Sequence, residues 1–220
     1  MIHRPENLTV YGAVGSGSIA VEAALTLLGI DYELVEAPTW EGEAERAKVA
    51  PLNPLKQIPT LVFPDGEVMT ESSAMLLWLA DAYPEAGLAP GLTDPRRRQF
   101  LRWMSYIPAS IYSMFWVLDE PSRLAAGPEA EAVIQERTIE RIADCWRMMD
   151  EQVEPGTYIQ GEQLTVLDLY VTVVSRWRPR RRRFYEVAPK LAEVVRRVDE
   201  HPLLQEFWAK RFPLEGGWEG

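Results

Sequence analysis

The spacing of apolar positions changes character once along the chain. Through residue 83, short apolar runs alternate with segments of helical spacing, and after residue 95 only helical spacing remains. The run "LTVYGA" (8–13) predicts a strand. Ile19–Leu28 predicts an apolar helix closed by Gly29, since a helix usually ends on a residue that tolerates positive φ. "DYELVEA" (31–37) alternates polar and apolar residues as a half-buried strand does. "EGEAERAKVA" (41–50) is a short amphipathic helix stopped by Pro51. "PTLVFPDGEVMT" (59–70) reads as two strands around Asp65-Gly66, a strong hairpin signal, and a further helix runs from Glu71 to Tyr83. Pro84, Gly87, Pro90 and Gly91 mark residues 84–94 as a linker. Helices are predicted at 95–118, 129–153, 165–178, 188–199 and 202–211, with a fraying tail at "PLEGGWEG". The order β-α-β-α-β-β-α, then helices, predicts an α/β domain over 1–83 followed by an all-α domain over 95–220.

Gly15-Ser-Gly17-Ser-Ile-Ala20 fits G-x-G-x-x-G/A between a strand and a helix, and Glu36 follows at the end of the second strand. These are the parts of a dinucleotide-binding fingerprint. The context rejects that reading. A dinucleotide fold needs further parallel crossovers, whereas here the third and fourth strands form a tight hairpin and no strand is evident after Thr70.

Composition narrows the class. A formal net charge of −10 argues against a protein that holds nucleic-acid backbones. No apolar run reaches the length of a membrane span, and the first residues carry no secretory signal. Cys145 is the single cysteine, so an intramolecular disulfide framework and a multi-cysteine metal site are excluded. These features together imply a cytoplasmic protein. His3 and His201 are the only histidines, which leaves no basis for a Ser-His-Asp hydrolase or a histidine-rich metal centre. One basic segment stands out: Arg176, Arg178, Arg180, Arg181, Arg182 and Arg183, broken by Trp177 and Pro179. The plain reading is a solvated helix end or loop paired with nearby carboxylates; an anion site or an interface is the alternative.

Several motifs then meet in order. "APLNPLKQIPTLVFPDGEVMTESSAMLLWLAD" resembles the stretch of the cytosolic glutathione S-transferases in which N-P-x-x-x-V-P-x-L runs through a D-G hairpin to E-S and an apolar helix. "GEQLTVLDLYV" is similar to the motif that opens the central helix of their second domain. "SRW" and "HPLLQEFW" fall where bacterial members carry similar segments. The resemblance spans nearly the whole chain. It implies a thioredoxin-like first domain, glutathione as co-substrate without a metal, and a homodimer.

Each motif also has its own chemistry. In the family the proline of Gln57-Ile58-Pro59 is cis, which would present the Ile58 backbone as a free strand edge for the cysteine of glutathione; an ordinary trans proline at the start of a strand is the other reading. Gln57 stands where many members carry Lys or Arg, and could still bind the ligand's glycine end. Glu71-Ser72 opens a helix, where unpaired N–H groups attract a carboxylate. Ser72 could donate to the α-carboxylate and Glu71 accept from the α-ammonium, or Ser72 could merely cap the helix. Thr165-Val-Leu-Asp168 has capping-box spacing and is read as structural.

The family activates the thiol with Tyr, Ser or Cys between the first strand and helix. Counting forward from Tyr11 points to Ser16; counting back from Gly29 points to Gly15 and puts Gly17 where one bacterial class has its cysteine. Ser16 is the chosen catalytic residue, with Ser18 second. The second substrate is expected in an apolar pocket against the 95–118 helix, which offers Trp103, Tyr106, Ser110 and Tyr112; of these Tyr106, Trp103 and Ser110 are chosen. The implied activity is conjugation of the glutathione thiolate to an apolar electrophilic small molecule. The alternatives are a glutathione-binding protein with little turnover, or a glutathione-dependent peroxidase, dehalogenase or isomerase.

Overall fold

The computed structural model describes residues 7–213; His3 and the tail from residue 214 lie outside them. Strand β1 (Leu8–Gly12) leads into helix α1 (Ser18–Leu28), strand β2 (Tyr32–Glu36) and helix α2 (Glu43–Val49). Strands β3 (Thr60–Val62) and β4 (Val68–Met69) and helix α3 (Ser72–Ala82) complete the first part. The four strands lie in the order β2-β1-β3-β4. β1 pairs parallel with β2, and β3 pairs antiparallel with both β1 and β4. This is the thioredoxin-like sheet that the resemblance implies. Gly29 ends α1 at φ 61° and donates to the carbonyls of Leu25 and Thr26, as its sequence position predicts.

The rest of the described chain is helical: α4 (Arg97–Tyr106), α5 (Phe115–Asp119), α6 (Pro128–Gln152), α7 (Val166–Val174), α8 (Arg180–Val187), α9 (Pro189–Asp199) and α10 (Gln205–Arg211). α7 is mostly apolar and buried at every position, so it forms the centre of this part and packs on α1 and α3. That packing makes one continuous core between the sheet part and the helices.

Two expectations need correcting. The helix expected at 95–118 is broken. Pro108 has no N–H to donate to the preceding turn, and Ile107–Ile111 widens into a π turn followed by a 3₁₀ turn at Tyr112–Met114. One extra residue in a turn rotates the following side chains by about 100°. The arginine segment, in turn, is solvated only in part. The helix expected at 165–178 stops at Val174, and α8 starts within the arginines. Arg181 is 0% and Arg176 6% exposed. Both grip Asp199, at 3.1 and 2.6 Å, and each also donates to a backbone carbonyl, Arg181 to Thr172 and Arg176 to Phe212. Arg178, Arg182 and Arg183 behave as expected, paired at the surface with Asp119, Glu186 and Glu140.

Candidate functional site

Three loops of the sheet part converge on one cleft of about 1350 Å³, more space than a single drug-sized ligand fills. Ser16 lines it from the β1–α1 loop, Gln57, Ile58 and Pro59 from the loop before β3, and Glu71 and Ser72 from the start of α3. The Ile58–Pro59 bond is cis. Residues expected from separate motifs are therefore brought together.

Ser16 and Ser18 have different surroundings. Ser18 is fully buried and donates to Glu22 Oε1 at 2.6 Å. Glu22 is also buried, accepts from Tyr32, and is paired with Arg211 at 2.7 Å, so its carboxylate oxygens act as acceptors. Ser18 has one proton and gives it to Glu22. The 2.9 Å contact between the two hydroxyls must then be donated by Ser16. Ser16 Oγ in turn accepts the N–H groups of Ala13 and Ser18. Of the two serines, Ser16 lines the cleft and Ser18 anchors the loop from behind.

The loop is also held by distant parts of the chain. The Gly15 N–H donates to the Arg211 carbonyl at 3.0 Å, and the Gly15 carbonyl accepts from Trp177 Nε1 at 2.8 Å. Arg211 further pairs with Glu36. The acid that would have read a ribose in a dinucleotide fold instead ties the sheet to the last helix.

At the start of α3, Ser72 does not cap the helix; its hydroxyl is shared with Tyr170 at 2.9 Å. Glu71 adopts φ 67° and Lys56 φ 54°. Left-handed geometry is costly for residues with a Cβ and tends to persist where function requires it. Both residues line the cleft. Asn53 fixes the intervening loop by donating to the Gln57 carbonyl and accepting from the Leu55 N–H.

The opposite wall comes from the helical part and includes residues that the sequence reading did not select. Tyr106 donates to the Cys145 carbonyl at 3.0 Å, and Trp103 is 2% exposed against it. The Ser110 carbonyl accepts from Cys145 Sγ. These three residues line the packing toward α6, and none lines the cleft. The turn introduced at Pro108 presents Tyr112, Phe115 and Trp116 instead, together with Trp177. The aromatic spacing 112, 115, 116 was a usable signal, but the continuous helix assumed for 95–118 hid it.

Tyr112 stands directly over the start of α1. A Cβ placed on Gly17 would fall inside the Tyr112 hydroxyl and 2.9 Å from the ring carbon that carries it, so glycine is what admits the phenol. Tyr112 Oη makes no hydrogen bond among the described residues. Burial, then Tyr170, Glu71 and Asp119, push its pKa well above the ordinary phenol value, so it remains a proton donor. The sheet-side wall adds Thr39, Trp40, Arg46 and Lys56.

A family model described as "Glutathione S-transferase, N-terminal domain" matches residues 18–82. The chain is 34% identical over 200 residues to the uncharacterised GST-like protein YncG of Escherichia coli K12, covering 90% of this chain and 96% of that protein. It is 25% identical over 193 residues to glutathione S-transferase GstA of Escherichia coli O157:H7, covering 87% and 92%. A glutathione transferase homologue from Sulfitobacter, solved with bound glutathione, superposes with a TM-score of 0.80 at 24% identity, covering 92% of this chain and 97% of that one.

Proposed function

This chain belongs to the glutathione S-transferase superfamily, and from that premise we propose that its cleft binds glutathione and that the bound thiolate is conjugated to an electrophilic small molecule. The observation that carries the reading is the convergence of Ser16, Ile58 and the Glu71-Ser72 start of α3 on one cleft. The N–H groups at the start of α3 and the Ser72 hydroxyl receive the α-carboxylate, and Glu71 receives the α-ammonium. The Ile58 backbone pairs with the cysteine of glutathione, while Gln57, Arg46 and Lys56 serve the glycine end. The thiolate rests at the start of α1, where the helix dipole favours an anion. The Ser16 hydroxyl turns toward it from Ser18, and the Tyr112 hydroxyl donates from the opposite wall. The Sulfitobacter homologue of the same fold was solved with glutathione bound, in keeping with glutathione as the ligand.

The test is retention on immobilised glutathione followed by a panel of electrophiles and peroxides. Retention with conjugating activity is expected, whereas free passage through the column overturns the proposal. Among the described residues no helix is long and apolar enough to cross a membrane, in keeping with a cytoplasmic location. A homodimer is part of the same reading, and light scattering at micromolar concentration checks it.

A further inference from the structure

Within the loop between β1 and α1, the Ser16 N–H closes on the Ala13 carbonyl at 3.1 Å, and the Ser16 hydroxyl accepts from Ala13 and Ser18. Gly15, at the apex, is held from outside. Its N–H reaches the Arg211 carbonyl, and its carbonyl accepts from Trp177 Nε1 at 2.8 Å. Gly15 has φ 71°. A glycine turns its peptide groups at little steric cost, so these two outside bonds choose the direction in which the Gly15 carbonyl points. Gly15 also lines the cleft, so that direction matters to any charge that forms there.

Trp177 is itself fixed. Its N–H donates to the Val174 carbonyl at 3.3 Å, and its carbonyl accepts from the Arg180 N–H at 2.7 Å. The neighbouring Arg176 is buried and paired with Asp199. The indole ring meets Tyr112 at 4.8 Å and Phe115 at 5.1 Å between ring centres. One partly buried side chain therefore touches the backbone that leads into Ser16 and the ring that carries the Tyr112 hydroxyl. The two donors proposed for the thiolate come from separate parts of the fold, and Trp177 spans them.

We propose that Trp177 is a positioning residue for the thiolate: its indole N–H turns the Gly15 carbonyl to the helical wall, and its ring sets Tyr112 over the start of α1. The inference rests on the glutathione reading, since it concerns the sulfur of the bound tripeptide. A carbonyl oxygen is the negative end of a dipole, and beside a forming anion it opposes ionisation. Held by Trp177, that oxygen is engaged by a donor, and the loop offers the Ser16 hydroxyl to the sulfur instead. Trp177 acts through Gly15 and Tyr112 rather than on the reacting atoms.

The test separates thiol ionisation from folding. Trp177→Phe keeps a ring on the wall and removes the indole donor. Should that variant not fold, benzothienylalanine incorporated at position 177 exchanges only the N–H for sulfur and keeps the shape of the ring. Thiolate absorbance of bound glutathione is followed against pH in each. The pH at which the bound thiol ionises is expected to rise by about half to one unit, the range of one neutral hydrogen bond. Below the wild-type midpoint, kcat should fall by the same factor, about three- to tenfold. Calorimetry with S-methylglutathione, which has no thiol to ionise, should give wild-type affinity. A bound thiol that ionises at the wild-type pH overturns the inference, whatever happens to the melting temperature. So does a loss of S-methylglutathione affinity as large as the loss for glutathione, since that marks a disordered loop and not a destabilised anion. Failure of the glutathione reading is distinct and removes the inference with it: the wild-type protein would then bind neither tripeptide.

Discussion

At the scale of single residues, one proton decides the role of each serine. Ser18 spends its proton on Glu22 and sits behind the loop, so Ser18→Ala should lower the melting temperature and leave kcat close to wild type. Ser16→Ala and Tyr112→Phe each remove a donor from the proposed thiolate. A hydrogen bond to a charged group is worth about 1.5–3 kcal/mol, so each change should lower kcat roughly ten- to a hundredfold. Thiolate absorbance of the bound complex against pH checks the cause, because either loss raises the pH at which the thiol ionises. A collapse of kcat in Ser18→Ala alone would move the assignment to that residue. Gly17→Ala forces a methyl into Tyr112 and should abolish activity while glutathione still binds weakly. Tyr112→Ala in the same chain relieves the clash, and recovered glutathione affinity in the double variant would verify the contact.

At the scale of elements, α7 depends on its cap. Asp168 accepts from the Ile159 N–H at 2.8 Å and from the Thr165 N–H and hydroxyl, both at 2.7 Å. Asp168→Ala leaves those buried donors unsatisfied at about 1–3 kcal/mol each. A marked fall in melting temperature, with KM for glutathione unchanged in whatever remains folded, is expected. Burial pushes the Asp168 pKa up to about 6 although its donors pull it down, against roughly 3.9 in an unfolded chain. The folded state therefore binds more protons between about pH 4 and 6, and the contribution of Asp168 to stability falls as pH rises through that window. The stability gap between wild type and Asp168→Ala should narrow from about pH 4 to 6 and stay constant above, which denaturant titrations at several pH values measure.

At the scale of the whole molecule, Arg211 holds the helical part onto the Ser16 loop. It is 189 residues from Glu22 and pairs with it at 2.7 Å, while its carbonyl accepts from Gly15. Arg211→Ala leaves the buried Glu22 charge without its counterion, a loss of about 3–5 kcal/mol, and releases one side of the Ser16 loop. Stability and kcat should fall together. Arg211→Lys, with one charge but no fork, should restore part of the stability. Unaltered unfolding in Arg211→Ala would show that the pair contributes little.

Local rules were enough for much of this fold. The strand and helix order, the Asp65-Gly66 hairpin, the Gly29 terminus and the Thr165–Asp168 cap each depend on neighbours within a few residues, so periodicity and turn chemistry expose them. The cleft residues Ser16, Ile58, Pro59, Glu71 and Ser72 were legible for a related reason: each sits at the end of an element, and the resemblance supplied the order of the motifs. What distant segments do to one another was not legible. Pro108 was visible, but whether a helix breaks or bends at a proline depends on the surfaces it packs against, and the resulting rotation moved the cleft face from Tyr106 and Ser110 to Tyr112, Phe115 and Trp116. The arginines looked like one solvated run because sequence gives charge without depth. Asp199 at the end of α9 meets Arg176 and Arg181 inside, and Arg211 makes a structural anchor of Glu36. Burial and long-range charge pairing are properties of the packed chain, so the tertiary structure alone decided them.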